Sequence, residues 1–210
     1  MKSALRVTEF GEVNTSPREV NAMLDLVESE TQRFDSRFLE PACGDGNFLV
    51  NVLTRKLKTL AKTSARNKYE FEKYSIVVVG SIYGIDILKD NTTQARERLF
   101  DTFMSVYKTN FNTSIDQDLI KSIKFILEKN IIHGDALTLK QINSDSPVTF
   151  CEWSMINNKL KRRDFTLSTL LEHAPFGEGS LFSDLDESVF IPKPIKEYPL
   201  INFYQVHSTC

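Results

Sequence analysis

A glycine-rich turn joins a short apolar run to a segment of helical spacing, and it narrows the choice of folds for this 210-residue chain more than any other feature. The apolar run covers residues 37–40, the turn covers 41–47, and apolar residues recur at helical spacing over 48–60. Gly44 and Gly46 allow backbone conformations and a close ligand approach that side chains would prevent. The pattern predicts a strand, a tight turn and a helix.

Strand and helix patterns alternate around this turn. Strands are predicted at residues 75–83, 130–133 and 148–153, with a helix at 92–107. A helix over residues 16–30 begins with a capping-box pattern. This alternation predicts an α/β fold with a mainly parallel sheet.

The character of the chain changes after Trp153. The residues that follow are short of strand signals, and residues 190–203 contain three prolines. We therefore expect two parts: residues 1–157 as the main domain, and residues 158–210 as an irregular, proline-rich and partly extended C-terminal segment.

Composition excludes several classes of protein. Hydrophobic residues make up 41% of the chain and charged residues 26%, which is typical of a globular protein. No apolar run approaches the roughly 20 residues of a membrane helix, and residues 1–13 contain acids and no secretory signal. Cys43, Cys151 and Cys210 form neither a disulfide framework nor a metal-binding spacing. We expect a cytoplasmic protein without a metal site or membrane contact.

Acidic residues stand at the ends of three successive predicted strands, at Glu40, Asp86 and Asp135. Ligands of open parallel sheets bind beyond the carboxyl ends of the strands. An acid after the second strand can accept ribose hydroxyls, and an acid after the third can bind an adenine amino group. Asp45 within the turn disfavours a pyrophosphate and favours an uncharged or cationic ligand group. These residues predict a nucleoside-binding site, although each acid alone also fits a helix cap or a turn.

Residues 40–49, Glu-Pro-Ala-Cys-Gly-Asp-Gly-Asn-Phe-Leu, closely resemble the (D/N/E)PACGxGxFL motif with which adenine-specific DNA methyltransferases bind S-adenosylmethionine. Residues 11–15, Gly-Glu-Val-Asn-Thr, resemble the segment that precedes this motif in one subgroup of the family. Residues 83–86 and 133–137 resemble its next two motifs. The resemblance covers residues 11–137 and implies the Rossmann-like fold of S-adenosylmethionine-dependent methyltransferases, here with an apparently incomplete sheet.

The resemblance also implies a set of cofactor-binding residues. Thr15 and Glu40 would lie near the methionine part, Asp86 near the ribose and Asp135 near the adenine. The apolar residues next to these two aspartates would pack on the adenine ring. The full set is Thr15, Glu40, Pro41, Cys43, Gly44, Gly46, Asp86, Ile87, Asp135 and Leu137.

The catalytic motif of the family is missing from this sequence. These enzymes use a (D/N)PP(Y/F) tetrapeptide to hold the amino group of an extruded adenine and to stack on its ring. In the corresponding region, Glu152 and Trp153 are the only candidate substitutes, and Trp153 also fits a core position. The catalytic residues therefore stay unknown.

Three functions remain open at this point. The first is a DNA adenine methyltransferase-like protein of a restriction-modification or DNA-modification system, with DNA bound through the basic stretches 55–68 and 159–163. A protein partner or a second copy would complete its site. The second is an inactive methyltransferase-fold subunit or regulator that acts through a protein partner. The third is a small-molecule or RNA methyltransferase with Glu152 or His133 as its base.

Overall fold

The computed structural model describes residues 15–64, 67–171 and 192–209, which form seven α-helices, one 3-10 helix and eight strands. The helices are α1 (Pro17–Asp25), α2 (Glu28–Gln32), α3 (Asn47–Thr63), α4 (Lys68–Gly80), α5 (Lys89–Asn110), α6 (Gln117–Asn130), α7 (Leu167–Leu171) and a 3-10 helix at Phe203–Ser208. The strands are β1 (Phe38–Glu40), β2 (Ile82–Asp86), β3 (Ile131–Asp135), β4 (Lys140–Gln141), β5 (Thr149–Ile156), β6 (Lys159–Thr166), β7 (Lys196–Glu197) and β8 (Ile201–Asn202).

The first sheet has the order β1-β2-β3-β4. Strands β1, β2 and β3 are parallel, and β4 is antiparallel to β3. Helices α3 and α4 connect β1 to β2, and α5 and α6 connect β2 to β3. The α/β class and the mainly parallel sheet predicted from the sequence are confirmed. The carboxyl ends of all three parallel strands consequently lie at one edge.

Alternate residues of β2 belong to two different cores. Ile82 joins the large core formed by the helices. Tyr83 and Ile85 belong to a smaller core with Val148 and Phe150, on the side of the β5–β6 hairpin. Because successive side chains of a strand point to opposite faces, the parallel sheet is covered on both faces.

The prediction of a strand at residues 75–83 is wrong for most of this range. Its apolar run forms the last part of helix α4, and β2 begins only at Ile82. Ile76, Val78 and Val79 are all fully buried, so the run shows no helical period that the sequence could reveal. Asn67 starts the helix by accepting a hydrogen bond of 3.2 Å from the backbone N–H of Glu70.

The predicted fourth strand exists, but it lies outside the parallel sheet. Strand β5 pairs antiparallel with β6 along its whole length. Asn157 and Asn158 form the two-residue connection, with φ values of 47° and 61°. Such a turn with two positive φ angles suits a tight hairpin. The expected boundary between residues 1–157 and 158–210 therefore falls inside a hairpin.

The C-terminal segment, expected to be irregular, contains regular structure in the part that is described. Strands β7 and β8 pair with β6, and the 3-10 helix packs on α6. Phe203 and Val206 of this helix are buried in the large core. The Tyr204 hydroxyl donates a hydrogen bond of 2.5 Å to the buried Glu72. These contacts join the end of the chain to the α/β unit.

The capping box expected at the first helix is present. The Ser16 hydroxyl accepts a hydrogen bond from the Glu19 N–H, and the Glu19 carboxylate accepts one from the Ser16 N–H. Helix α1 ends at Asp25, and α2 follows as a separate short helix. Over residues 15–64, 67–171 and 192–209, no helix combines the length and apolar character needed to cross a membrane.

Candidate functional site

The glycine-rich turn lies at the carboxyl edge of the parallel sheet and is attached to the end of β2. The Cys43 N–H donates to the carbonyl of Ile85 at 2.8 Å. Gly44 and Gly46 have φ values of 52° and 82°. A Cβ atom on Gly46 would lie 3.0 Å from the Cβ of Ala95. Both the backbone conformation and the contact with α5 therefore require glycine at position 46.

Asp86 is the buried anchor of this turn. Its Oδ2 accepts a hydrogen bond of 2.8 Å from the Gly44 N–H. Its Oδ1 accepts one of 2.8 Å from the Leu88 N–H and one of 3.1 Å from the Asn91 amide. The carboxylate thus connects the turn after β1 to the start of α5, and it is only 9% exposed.

Glu40, at the end of β1, carries an unsatisfied oxygen. Its Oε2 is buried and has no hydrogen-bond partner among the described residues. Burial raises the pKa of the Glu40 carboxyl to about 7, and the nearby carboxylates of Asp45 and Asp86 add to this effect. A buried acceptor beside two other acids is an environment that a cationic hydrogen-bond donor would stabilise.

Arg98 on α5 fixes the tip of the turn. Its guanidinium contacts the Asp45 carboxylate at 2.7 Å and donates to the Asp45 carbonyl at 2.9 Å. It also donates to the side-chain oxygen of Asn47 at 3.4 Å. The Asn47 amide in turn donates to the Thr15 carbonyl at 2.9 Å, which holds the N-terminal segment against the turn.

Sequence reasoning missed Arg98 and Asn91 as members of this site. Asn91 is five residues after Asp86, at the start of α5. An amide at this short spacing can donate to the Asp86 carboxylate, so the sequence contains a local signal for this contact. Arg98 is 53 positions from Asp45, and no local pattern indicates this contact.

Asp135 has a local role at the end of β3. Its two oxygens accept hydrogen bonds from the Leu137 N–H at 2.8 Å and from the Thr138 hydroxyl at 3.0 Å. The bond from the Leu137 backbone holds the pKa of the Asp135 carboxyl below its usual range. Asp135 therefore stabilises a turn, which is the alternative to adenine binding that its sequence position also allows.

Apolar side chains are exposed next to both aspartates. Ile87 is 43% exposed and Leu137 is 94% exposed. The Nε2 atom of His133 lies 3.0 Å from the Ile87 carbonyl. Pro41 is exposed at the start of the turn. The edge of the sheet thus presents apolar surface beside the buried Asp86 and the partly exposed Asp135.

Cys43 points into the core. It is 4% exposed, and burial raises the pKa of its thiol, which disfavours a reactive thiolate. Its Sγ would lie 2.9 Å from a Cβ atom on Gly84. The cysteine is therefore a packing residue between the turn and β2.

The two candidate catalytic residues do not form a base-stacking platform. Trp153 is 6% exposed, and its indole N–H donates to the Asn130 side chain at 3.0 Å. Its ring packs directly on Gly80. Glu152 forms ion pairs with Arg37 and Arg163. Trp153 is therefore a core residue, as one of its two sequence interpretations predicts, and its ring is not available to a substrate base.

The basic stretch 159–163 is largely neutralised by the protein itself. Lys161 pairs with Glu197 at 2.9 Å, Arg162 with Asp164 at 2.8 Å and Arg163 with Glu152 at 2.8 Å. These side chains line one hairpin, and only the exposed Lys159 has no ion pair among the described residues. Three of the four cations of this stretch are therefore already paired within the protein.

The basic stretch 55–68 is only partly available to a partner. Lys56 is fully buried and donates to the Ser81 hydroxyl at 2.8 Å, and burial lowers the pKa of its ammonium group to about 8. Arg55 pairs with Asp25 at 2.7 Å. Lys58 and Lys62 are exposed on α3. Lys68 pairs with Glu72 at 3.8 Å, so Lys58 and Lys62 are the exposed lysines of the stretch without an ion pair among the described residues.

Known proteins and metal chemistry give no further guidance. No family model matches the chain, and the comparisons with curated proteins and with solved structures found no match. In the described parts of the chain, no group of three or more His, Cys, Asp or Glu side chains could hold a metal ion. The geometry of the sheet edge is therefore the basis for a functional proposal.

Proposed function

We propose that this chain binds S-adenosylmethionine at the carboxyl edge of its parallel sheet, as a cytoplasmic DNA adenine methyltransferase-like protein of a restriction-modification or other DNA-modification system. The observation that carries the proposal is the buried, unpartnered Oε2 of Glu40 beside a glycine turn that Asp86 holds. A buried polar atom without a partner is costly unless a ligand satisfies it. S-adenosylmethionine carries an ammonium and a sulfonium, and both suit this acidic surrounding.

The residues present fit the three parts of the cofactor. Glu40 and the glycine turn would receive the methionine part. Asp86 already accepts three hydrogen bonds, and a carboxylate has about four acceptor sites, so it can accept one ribose hydroxyl without rearrangement. The exposed Ile87 and Leu137 offer an apolar surface to the adenine ring.

The bound cofactor would supply an electrophilic methyl group. The residues of the sheet edge would bind and orient it, and the partly apolar surroundings would limit access of water. What they lack is an acceptor pair for an adenine amino group, because Glu152 is held between two arginines and Trp153 is in the core. We therefore propose that transfer to DNA requires a second chain, with Lys58 and Lys62 as candidate phosphate contacts.

A specific observation favours a second candidate, an inactive subunit or regulator that acts through a protein partner. Within the described chain, β1 pairs with β2 alone, and Leu39 on β1 is 43% exposed. An edge strand with apolar exposure is a ready surface for another chain. Such a subunit would bind the cofactor at the same site but would not transfer its methyl group.

Cofactor binding and methyl transfer by the chain itself are measured together. The full chain is incubated with S-adenosylmethionine labelled in its methyl group and with a random-sequence DNA duplex, and label in N6-methyladenine is measured. Thermal unfolding is followed in parallel with and without the cofactor. Label in DNA supports the enzyme. Cofactor stabilisation without label supports the cofactor site and is expected both for the inactive subunit and for an enzyme that needs a second chain. Neither stabilisation nor label at millimolar cofactor would overturn the proposal.

A further inference from the structure

A cavity lies away from the glycine turn, between β1 and the β5–β6 hairpin. Its volume is about 540 Å³, within the range of small-molecule sites. Leu39 and Tyr83 of the parallel sheet form one side, and Phe150 and Phe165 of the hairpin form the other. It contains neither Glu40 nor Asp86, and the inference drawn from it does not depend on the proposed cofactor site.

The apolar wall of this cavity is aromatic and firmly held. The rings of Tyr83 and Phe150 meet edge to face, with centroids 5.2 Å apart and an interplanar angle of 77°. The Tyr83 hydroxyl donates to the Cys151 carbonyl at 2.9 Å, which fixes the orientation of its ring. Phe165 is the cross-strand neighbour of Phe150. Such a wall suits a planar ligand, because aromatic rings gain energy from edge and offset contacts.

The polar wall contains two arginines that share one carboxylate. Glu152 is shared by two guanidinium groups, with one oxygen contacting Arg37 and the other contacting Arg163 at 2.8 Å. The remaining acid of the cavity, Glu197, pairs with Lys161 at 2.9 Å. Lys161 lies outside the lining, so the charged side chains of the cavity, Arg37, Arg163, Glu152 and Glu197, balance one another, and Lys161 engages Glu197 from outside.

The two arginines also have unused hydrogen-bond donors. A guanidinium has five N–H groups. Among the described residues, the Glu152 carboxylate is the sole hydrogen-bond partner of the guanidinium groups of Arg37 and Arg163. Arg163 is 31% exposed and Arg37 is 57% exposed, so both remain accessible to a ligand. Guanidinium groups with open donors bind carboxylate, sulfonate or phosphate oxygens with directional bonds.

We propose that this cavity binds a small aromatic molecule that carries one anionic group. The ring lies against Tyr83, Phe150 and Phe165, and the anionic group accepts hydrogen bonds from Arg37 and Arg163. The shared carboxylate of Glu152 holds both guanidinium groups towards the cavity before the ligand arrives. The apolar wall provides affinity, and the arginine pair provides the preference for an anion.

The test compares two fluorescent probes of similar shape on the full chain. 8-Anilinonaphthalene-1-sulfonate is anionic, and N-phenyl-1-naphthylamine is its uncharged counterpart. Arg163→Gln removes one of the two arginines. Arg33→Gln is the matched control, because Arg33 lines a neighbouring cavity and not this one. We expect Arg163→Gln to weaken the anionic probe at least fivefold and the uncharged probe less than twofold, and Arg33→Gln to change neither.

A second variant keeps the test decisive if Arg163→Gln proves unstable. Leu170 lines the same cavity and is half-buried, so Leu170→Trp should fill it and weaken both probes at least fivefold. Circular dichroism verifies that each variant is folded. The proposal is overturned if the native chain does not bind the anionic probe, if folded Arg163→Gln binds it as tightly as the native chain does, or if Leu170→Trp leaves both affinities unchanged.

Discussion

The backbone N–H of Gly44 donates a hydrogen bond of 2.8 Å to Oδ2 of Asp86, although the two residues are 42 positions apart in the chain. This bond ties the turn after β1 to the end of β2. The residue that the family resemblance assigns to the ribose is therefore also the residue that holds the glycine turn. A structural role and the proposed binding role coincide in one carboxylate, and experiments have to separate them.

The structural role of Asp86 is measurable by itself. Asp86→Ala removes the acceptor of three hydrogen bonds and leaves buried donors unsatisfied, so we expect the free energy of unfolding to fall by about 2–3 kcal/mol. Asp135→Ala removes only local turn bonds and should cost about 1 kcal/mol or less. Urea unfolding of both variants tests this. Equal losses would mean that Asp86 does not anchor the turn.

Glu40 should make stability depend on pH. Its pKa is about 7 in the folded chain and about 4.5 in the unfolded chain, so the folded state keeps a proton that the unfolded state releases. Stability from this group is complete below pH 4.5 and is lost as the pH rises through 7. Glu40→Gln cannot ionise and avoids this loss.

We therefore expect Glu40→Gln to gain about 2 kcal/mol relative to the native chain between pH 5 and pH 8. Urea unfolding at several pH values is the measurement. A difference between the two chains that stays constant over this range would show that the Glu40 carboxyl is not perturbed.

Gly46 should not tolerate a side chain. Gly46→Ala forces alanine to a φ of 82° and brings its Cβ to 3.0 Å from the Cβ of Ala95, so we expect a loss of about 2 kcal/mol. Removing the Ala95 methyl in the double variant with Ala95→Gly should recover part of this loss. A double-mutant cycle in urea gives the coupling. Strictly additive losses would show that the contact with Ala95 is not the cause.

Trp153 should prove structural. Trp153→Phe loses the hydrogen bond to Asn130, and we expect about 2 kcal/mol less stability. Asn130→Ala should cost at least as much, because the Asn130 amide also donates to the carbonyls of Gly80 and Ile82 at 3.1 Å. Cofactor affinity should not change in folded Trp153→Phe. A large loss of affinity without a loss of stability would return Trp153 to the site.

Local patterns in the sequence were sufficient for much of the fold. The glycine turn, the capping box at Ser16 and the acids at the strand ends all lie where the sequence placed them. The segment before β2 was mistaken for a strand because Ile76, Val78 and Val79 are buried on every side, and complete burial removes the periodicity that separates helix from strand.

Long-range contacts account for the features that the sequence did not reveal. The pairing of β5 with β6 places the predicted fourth strand in a second sheet. Ion pairs with Glu152, Asp164 and Glu197 use three of the four charges of the stretch 159–163 within the protein. The ion pair between Arg98 and Asp45 joins helix α5 to the glycine turn. Neither contact has a signature at fixed sequence spacing.

The most direct test of the proposed cofactor site is calorimetric titration of the chain with S-adenosylmethionine. Leu137→Asp removes the exposed apolar surface proposed for the adenine without touching a buried contact. Leu26→Asp is the matched control, since Leu26 is 86% exposed on the surface after α1.

We expect the native chain and Leu26→Asp to bind the cofactor with the same micromolar affinity, and Leu137→Asp to bind at least tenfold more weakly, because a buried leucine contributes about 1.5–3 kcal/mol. Absence of binding at millimolar cofactor, or equal affinity of all three chains, would contradict the proposed site.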